Sequence, residues 1–496
     1  MIRSGLQALA RGAVVAWALS GCGKDSGTSP EPPVDYDGID PIVYSQHVQP
    51  IFEASCNASL CHNATDRALG LSLASYEDLA AGGTFGAEVL PYHAERSHLV
   101  QHMNGQIEPR MPLGRDPLDD AVIRFFTRWI AQGAKDDAGL PMYGDVHAKV
   151  FVACQGENEV AVLDLATGLL IRLIEVDVPH SVYVDAPNRR LYVSRFENAS
   201  DNIRVYDADT LELAFQGKAG TYPALMKITP DGSQLWVTNF DQVGGVNADN
   251  AIHVLDPNTL SPIATLTPPN SRQPHGLAMT ADGSRVFVTN ILDDNVTICC
   301  TGCGIGGGPD IEYANVALPS IPGVSHQPQQ CVLSADEKRL FVSALGSNHV
   351  YVLNVDEADG GFLTVTGSAE VGEKPWHLAL SPDGQELWVA NWFGKSVSVV
   401  SVANPDAPVV VDTLTPTHPA DPTRLVLLRP IGIAFSPDGA RVWVSCANDD
   451  GSGSGHHPPP DGEKKPGDVV VFDRASRTVV SVTEVPNFAR FAGFLP

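Results

Sequence analysis

Several familiar signatures are missing from this chain. No ordered Ser/His/Asp set, no glycine-rich phosphate loop and no paired-carboxylate pattern stands out in it, so its chemistry has no short catalytic motif to announce it. Positive charge is scarce: 32 Lys and Arg face 58 Asp and Glu, for a formal net charge of -26. Such a surface repels phosphate backbones, and no basic stripe offsets it, which argues against nucleic acid as a partner. Long apolar runs are missing too. The stretch from Ala13 to Leu19 is too short to span a bilayer.

The 496 residues exceed what one compact core uses, and a hydrophobic fraction of 43% fits globular domains joined by linkers. The first thirty residues read as a targeting segment: Arg3 and Arg11 give a basic start and Ala13 to Leu19 an apolar core. Leu19-Ser20-Gly21-Cys22 then resembles the lipobox of bacterial lipoproteins. That resemblance implies removal of residues 1–21, acylation of Cys22 and an outer-membrane or cell-surface location. Residues 22–41, rich in Ser, Thr, Pro, Gly and Asp, read as a flexible tether.

From Ile42 the composition changes. Tyr44 to Ala54 sets Val48, Ile51 and Phe52 at helical spacing and leads into Cys56-Asn57-Ala58-Ser59-Leu60-Cys61-His62. Two thiols followed by a histidine is the pattern that attaches a c-type haem, although four residues separate these cysteines where the common motif has two. A disulfide between them is the alternative for an oxidising compartment. Asp119 to Gly133 predicts a closing helix with Ile123, Phe126, Trp129 and Ile130 on one face, Asp119 as N-cap and Gly133 as stop.

These pieces, with Met111-Pro112 and Trp129-Ile130-Ala131-Gln132-Gly133-Ala134, resemble the cytochrome c domains of large bacterial envelope proteins. The resemblance implies an all-α haem domain over residues 42–140. It implies one covalent haem c on Cys56 and Cys61, with His62 as proximal and Met111 as distal ligand of the iron. His98 or His102 is the alternative distal ligand. A His/Met pair suits electron transfer more than substrate chemistry.

From about Val146 the sequence repeats. Phe151-Val-Ala-Cys154, Tyr192-Val-Ser-Arg195, Trp236-Val-Thr-Asn239, Phe287-Val-Thr-Asn290, Phe341-Val-Ser-Ala344, Trp388-Val-Ala-Asn391 and Trp443-Val-Ser-Cys446 align. Four copies follow a proline-led strand and an Asp-Gly turn, at Asp231, Asp282, Asp383 and Asp438. Four strands per unit at this spacing predict an all-β propeller over residues 146–496. The motif resembles the Y-V-T-N family of bacterial surface propellers. Counting gives seven blades, with Pro486 to Phe494 supplying the strand that blade one lacks and closing the ring.

His180, His275 and His377 each follow a leading proline near the channel mouth, with His326 just before Pro328. They read either as polar channel lining or as a possible propeller-face site for a second metal. Cys154 and Cys446 stand in neighbouring blades if the ring closes, where a disulfide would fasten it, with a metal site on His456-His457 as the rarer alternative. Cys299, Cys300 and Cys303 fall in a predicted turn.

The expected protein is thus a lipid-anchored c-type cytochrome carrying electrons in the cell envelope, with a redox partner protein and the propeller as docking platform. Electron transfer is preferred over enzymatic oxidoreduction. One alternative is a periplasmic oxidoreductase with its own metal or haem centre in the propeller, a layout resembling nitrite reductases. The other is a surface interaction propeller without redox role.

Overall fold

The computed structural model describes residues 35–240, 249–301, 311–448 and 465–496. The targeting segment, Cys22, Cys303, His456-His457 and most of the insertions at 241–249 and 449–467 lie outside them. The chain divides into two compact units, Met1–Val146 and His147–Pro496. Among the described residues no helix is long and apolar enough to cross a membrane.

The first unit is helical, with Gln49–Ser55, Tyr76–Ala80, His98–Asn104 and Asp120–Ala131 as its α-helices. Val48, Ile51 and Phe52 are buried as their spacing predicts. Asp119 caps the last helix by accepting from the Ala121 N–H at 2.8 Å. Gly133 stops it at φ +99°, where a Cβ would meet the Tyr92 ring at 2.9 Å. The buried stripe of this helix is Val122, Phe125, Phe126, Trp129 and Ile130. Ile123, predicted on that face, sits at its edge because Phe125 and Phe126 together turn the stripe toward Tyr36 and Phe52.

The second unit is a seven-bladed propeller: seven antiparallel four-stranded sheets are present among the described residues. Six are sequential hairpins. In the seventh, the C-terminal strand Ala489–Leu495 pairs with Lys149–Cys154 in the register Lys149 to Leu495 and Cys154 to Ala489. The ring therefore closes by joining the two ends of the repeat array.

The repeat motif has a physical reason at each position. Its aromatic and valine residues are buried in the middle strand of each blade. The hydroxyl that follows donates to the innermost strand of the next blade: Ser194 Oγ to Ala224 O at 2.8 Å, Thr238 Oγ1 to His275 O at 2.9 Å, Thr289 Oγ1 to Gln329 O at 3.0 Å. Ser343 to Trp376 O and Ser445 to Arg490 O continue the series. Thr238→Val, which keeps the shape and removes the donor, is expected to cost about 1–3 kcal/mol because a buried carbonyl loses its partner. Urea unfolding followed by tryptophan fluorescence measures it.

The Asp-Gly turns are equally regular. Thr229, Thr280, Ser334, Ser381 and Ser436 each donate their hydroxyl to the aspartate two residues on, at 2.5–2.7 Å. Gly232, Gly283, Gly384 and Gly439 take φ near +70° there, and Glu337 takes +57° where the copy lacks glycine. The hydroxyl bonds hold all five carboxyls below their ordinary range, Asp282 and Asp383 at about 2. A depressed folded pKa contributes stability above the unfolded value of 3.8 that is lost as pH falls through the folded one. The thermal midpoint of the propeller is therefore expected to hold above about pH 4 and drop steeply between pH 4 and 2, as calorimetry across that range would show.

Candidate functional site

The innermost strand of every blade carries a β-bulge at its first positions. Bulges re-aim side chains and concentrate beside functional sites. Here they turn one layer of residues toward the channel: His180, Ala224, His275, Gln329, Trp376, Ile431 and, from the closing strand, Arg490, all buried. The residue after each middle strand lies over this layer. Phe196, Phe240, Ile291, Leu345, Trp392, Ala447 and Gln155 donate their N–H to Val178, Tyr222, Gln273, Gln327, Lys374, Arg429 and Phe488, at 2.9–3.3 Å.

His180 and His275 meet edge to face with ring centroids 5.9 Å apart, and His180 stacks on Phe196. Arg490, fully buried, donates Nη1 to Gln155 Oε1 at 2.7 Å and to His180 Nδ1 at 3.2 Å. His275 Nδ1 lies 2.9 Å from Gln329 O. A carbonyl only accepts, so His275 carries its proton on Nδ1 and a lone pair on Nε2; His180, accepting at Nδ1, carries its proton on Nε2. Burial holds His275 neutral, at about 4, against the pull of its carbonyl bond, and Arg490 adds to the same effect. His377 is lowered well below its ordinary value by burial first and then by its electrostatic interaction with His275 and with the Arg490 guanidinium. Burial also brings the Arg490 guanidinium down to about 9.

One or two residues further along the same strands lies a cavity of about 190 Å³, lined by Ser181, Leu225, Leu277, Gln330, His377 and Ile433 among others. His377 joins the two levels. Glycine is needed at this depth: a Cβ on Gly276 would lie 2.6 Å from Gln329 O, and one on Gly432 would strike Arg490 O.

The structure thus brings His180, His275 and His377 together and leaves His326 apart, bonded to Pro319 O and Tyr351 Oη. It adds Arg490, Gln155, Gln329 and Gln330, which the sequence reading missed. The second metal expected at these histidines is corrected. Among the described residues no group of three or more His, Cys, Asp or Glu is placed to hold a metal ion, and the Arg490 guanidinium stands among the imidazoles, where it repels a cation.

In the helical unit, Cys56 ends the helix Gln49–Ser55 and packs on the core, and its carbonyl accepts the His62 N–H at 3.1 Å. Burial, then the neighbouring Cys61, pushes the Cys56 thiol up to about 12. His62 is lowered by burial, with His102 contributing, and His98 behaves likewise. The Met111 N–H donates to His102 O at 2.9 Å. The expectation of a covalent haem c on Cys56, Cys61, His62 and Met111 is corrected by the same metal-site finding. With it go the iron, electron-transfer and cytochrome assignments.

The thiols are corrected as well. Cys446 carries a free, buried thiol, so no disulfide ties it to Cys154. Cys299 and Cys300 lie in the strand Asn295–Thr301 rather than a turn. Cys300 is disulfide-bonded, while Cys299 and Cys331 are free and buried.

Comparison with known proteins points the same way. Residues 314–451 match the family model described as lactonase, 7-bladed beta-propeller. The periplasmic gluconolactonase PpgL of Pseudomonas aeruginosa has a similar structure, with a TM-score of 0.54 and 18% identity over 70% of this chain and 99% of that one. Among curated proteins, antigen Lp49 of Leptospira interrogans is 25% identical over 270 residues, 51% of this chain and 54% of its own length. Hydrazine synthase subunit beta of Kuenenia stuttgartiensis is 23% identical over 216 residues, 36% of this chain and 54% of its own length. The chain spans about half the length of these curated relatives. These likenesses show a seven-bladed propeller fold for residues 147–496.

Proposed function

We propose that the propeller hydrolyses lactones in its channel, and that the chain works in the cell envelope, held there by lipid on Cys22. The observation that carries the first part is the pairing of opposite tautomers at His180 and His275 beside Arg490. The Nε2 lone pair of His275 takes a proton from water as its oxygen adds to the lactone carbonyl. Arg490 and the His180 Nε2–H donate to the carbonyl oxygen as it becomes negative. The acyl C–O bond then breaks, the ring oxygen takes the proton from His275, and a hydroxy acid results that ionises to its carboxylate. Water is the only co-reactant.

The test is ring opening of glucono-1,5-lactone by the full chain. Wild type is expected to exceed the buffer rate, and His275→Gln to lose about 100-fold or more in kcat, the usual worth of a general base. Because the base form of His275 persists down to about pH 4, the rate is expected to fall only below that pH. Wild-type turnover no faster than buffer would overturn the assignment. Labelling with palmitate, lost in Cys22→Ser, tests the anchor.

A further inference from the structure

We infer that Thr289 is a positioning residue for His275: its hydroxyl clamps the carbonyl that holds the imidazole proton on Nδ1, and so presents Nε2 as the base.

This role rests on the hydrolytic reading of the channel and deepens it. In the strand Pro274–Met279, Pro274 pairs with Asn290 and Leu277 with Val288, so the bulge sets His275 and Gly276 together opposite Thr289. The next blade repeats the bulge at Gln329 and Gln330, between the pairs Pro328 with Ala344 and Cys331 with Val342. A bulge interrupts the ladder that would otherwise fix these backbones. The Thr289 hydroxyl takes over that task. It accepts the Gly276 N–H at 2.7 Å and donates to Gln329 O at 3.0 Å, and Thr289 is fully buried.

Gln329 O is also the acceptor for His275 Nδ1, at 2.9 Å. A carbonyl oxygen has two lone pairs, and here one meets the hydroxyl and the other the imidazole N–H. The tautomer of a neutral histidine follows the hydrogen bond that one of its nitrogens makes. Whatever fixes the direction of Gln329 O therefore fixes which nitrogen of His275 is the base. The arrangement has no slack: a Cβ on Gly276 would lie 2.6 Å from Gln329 O. Blade two offers a comparison. Ser194 Oγ accepts the Ser181 N–H at 3.1 Å and donates to Ala224 O at 2.8 Å, the same clamp beside His180. Ala224 O is shared with the Ser181 hydroxyl at 2.7 Å, while the His180 ring meets Arg490 through Nδ1 at 3.2 Å. Thr289 is thus coupled to an imidazole through its acceptor, and Ser194 to a hydroxyl.

The experiment records two-bond 1H–15N spectra of the full chain labelled with 15N-histidine, without substrate, with His275→Gln used to assign the resonance. Wild-type His275 is expected to carry its proton on Nδ1. Thr289→Val, which keeps the shape and removes the hydroxyl, is expected to populate the Nε2-protonated form. It is also expected to lower kcat for lactone opening about fivefold or more, in line with the loss of one hydrogen bond, with KM little changed. Thr289→Ser should restore both. Ser194→Ala should cost comparable stability yet leave the His275 tautomer in place. Wild-type His275 protonated on Nε2, a folded Thr289→Val with the proton still wholly on Nδ1, no rescue by Thr289→Ser, or an equal shift in Ser194→Ala overturns the inference. If Thr289→Val does not fold, Thr289→Cys, a weaker donor of similar size, is used, and an unmoved tautomer there counts against the role. Because the tautomer is read without turnover, the two readings fail separately. A shifted tautomer in a chain that opens no lactone removes the hydrolytic reading alone, and lactone opening with an unmoved tautomer removes this one alone.

Discussion

A chain ending at Val485 is expected to lose the propeller altogether. The eleven residues removed contain the innermost strand of blade one, and without it the strand Lys149–Cys154, buried along its whole length, becomes an open edge. Phe488, Ala489 and Leu495 are fully buried, and Phe494 packs edge to face on Trp443 of blade seven. Burying a large apolar side chain is worth about 1.5–3 kcal/mol. Two of them, Phe488 and Leu495, with the partly buried Phe494, a ladder of backbone hydrogen bonds and the Ser445 bond to Arg490 O together rival the ~5–15 kcal/mol by which domains are stable. Near-UV circular dichroism should show no cooperative transition for the truncated chain, and the open edge should make it aggregate. A synthetic peptide of residues 486–496 added in trans should restore the transition. A truncated chain that melts at the wild-type midpoint would mean that the ring does not depend on its closure.

The same strand explains what could be read from the sequence and what could not. The blade count and the closure were legible because the repeated strand carries its own reasons: a buried aromatic, a hydroxyl for the next blade, a turn that needs Asp-Gly. The frame of the last strand was not. Its leading proline, Pro486, suggested the counterpart of Pro179 or Pro274, yet the structural counterpart is Ala489, which pairs with Cys154 as Pro430 pairs with Cys446. The true marker is a positive φ just before the strand, +63° at Phe488 as at Val178, Gln273, Gln327, Lys374 and Arg429. No residue type reports that. A frame shifted by three residues takes Arg490 out of the layer that holds His180 and His275, which is why the histidines were found and the arginine was not.

The helical unit shows the opposite failing. Two of its four α-helices, Gln49–Ser55 and Asp120–Ala131, were legible from spacing and caps, and Asp119 and Gly133 bound the second as expected, whereas Tyr76–Ala80 and His98–Asn104 carried no such signal. The chemistry assigned to it came from seven residues, Cys56 to His62, supported by a loop and a helix that a purely structural core also needs. In the fold, Cys56 has a packing role: it ends one helix, accepts from the next turn and rests on the core.

Trp129→Ala is expected to unfold that helical unit while leaving the propeller intact. Trp129 is buried at the centre of its core, with Tyr44 at 5.8 Å and Phe126 at 6.3 Å between ring centroids, and its Nε1–H donates to Lys135 O at 3.1 Å. Truncating a buried aromatic to alanine costs about 3–5 kcal/mol through lost transfer energy and the cavity left behind. Tyr44 and Tyr76 would lose their shared wall as well, since Tyr76 reaches Ala134 O, the residue whose N–H returns to Trp129 O. A core of about one hundred residues has little stability beyond this to spare. Differential scanning calorimetry of the full chain should therefore show one transition lost or shifted far down and the other unmoved. Trp129→Phe, which keeps most of the volume and forfeits the hydrogen bond, should lie between the two, and a simultaneous shift of both transitions would show that the units do not unfold independently.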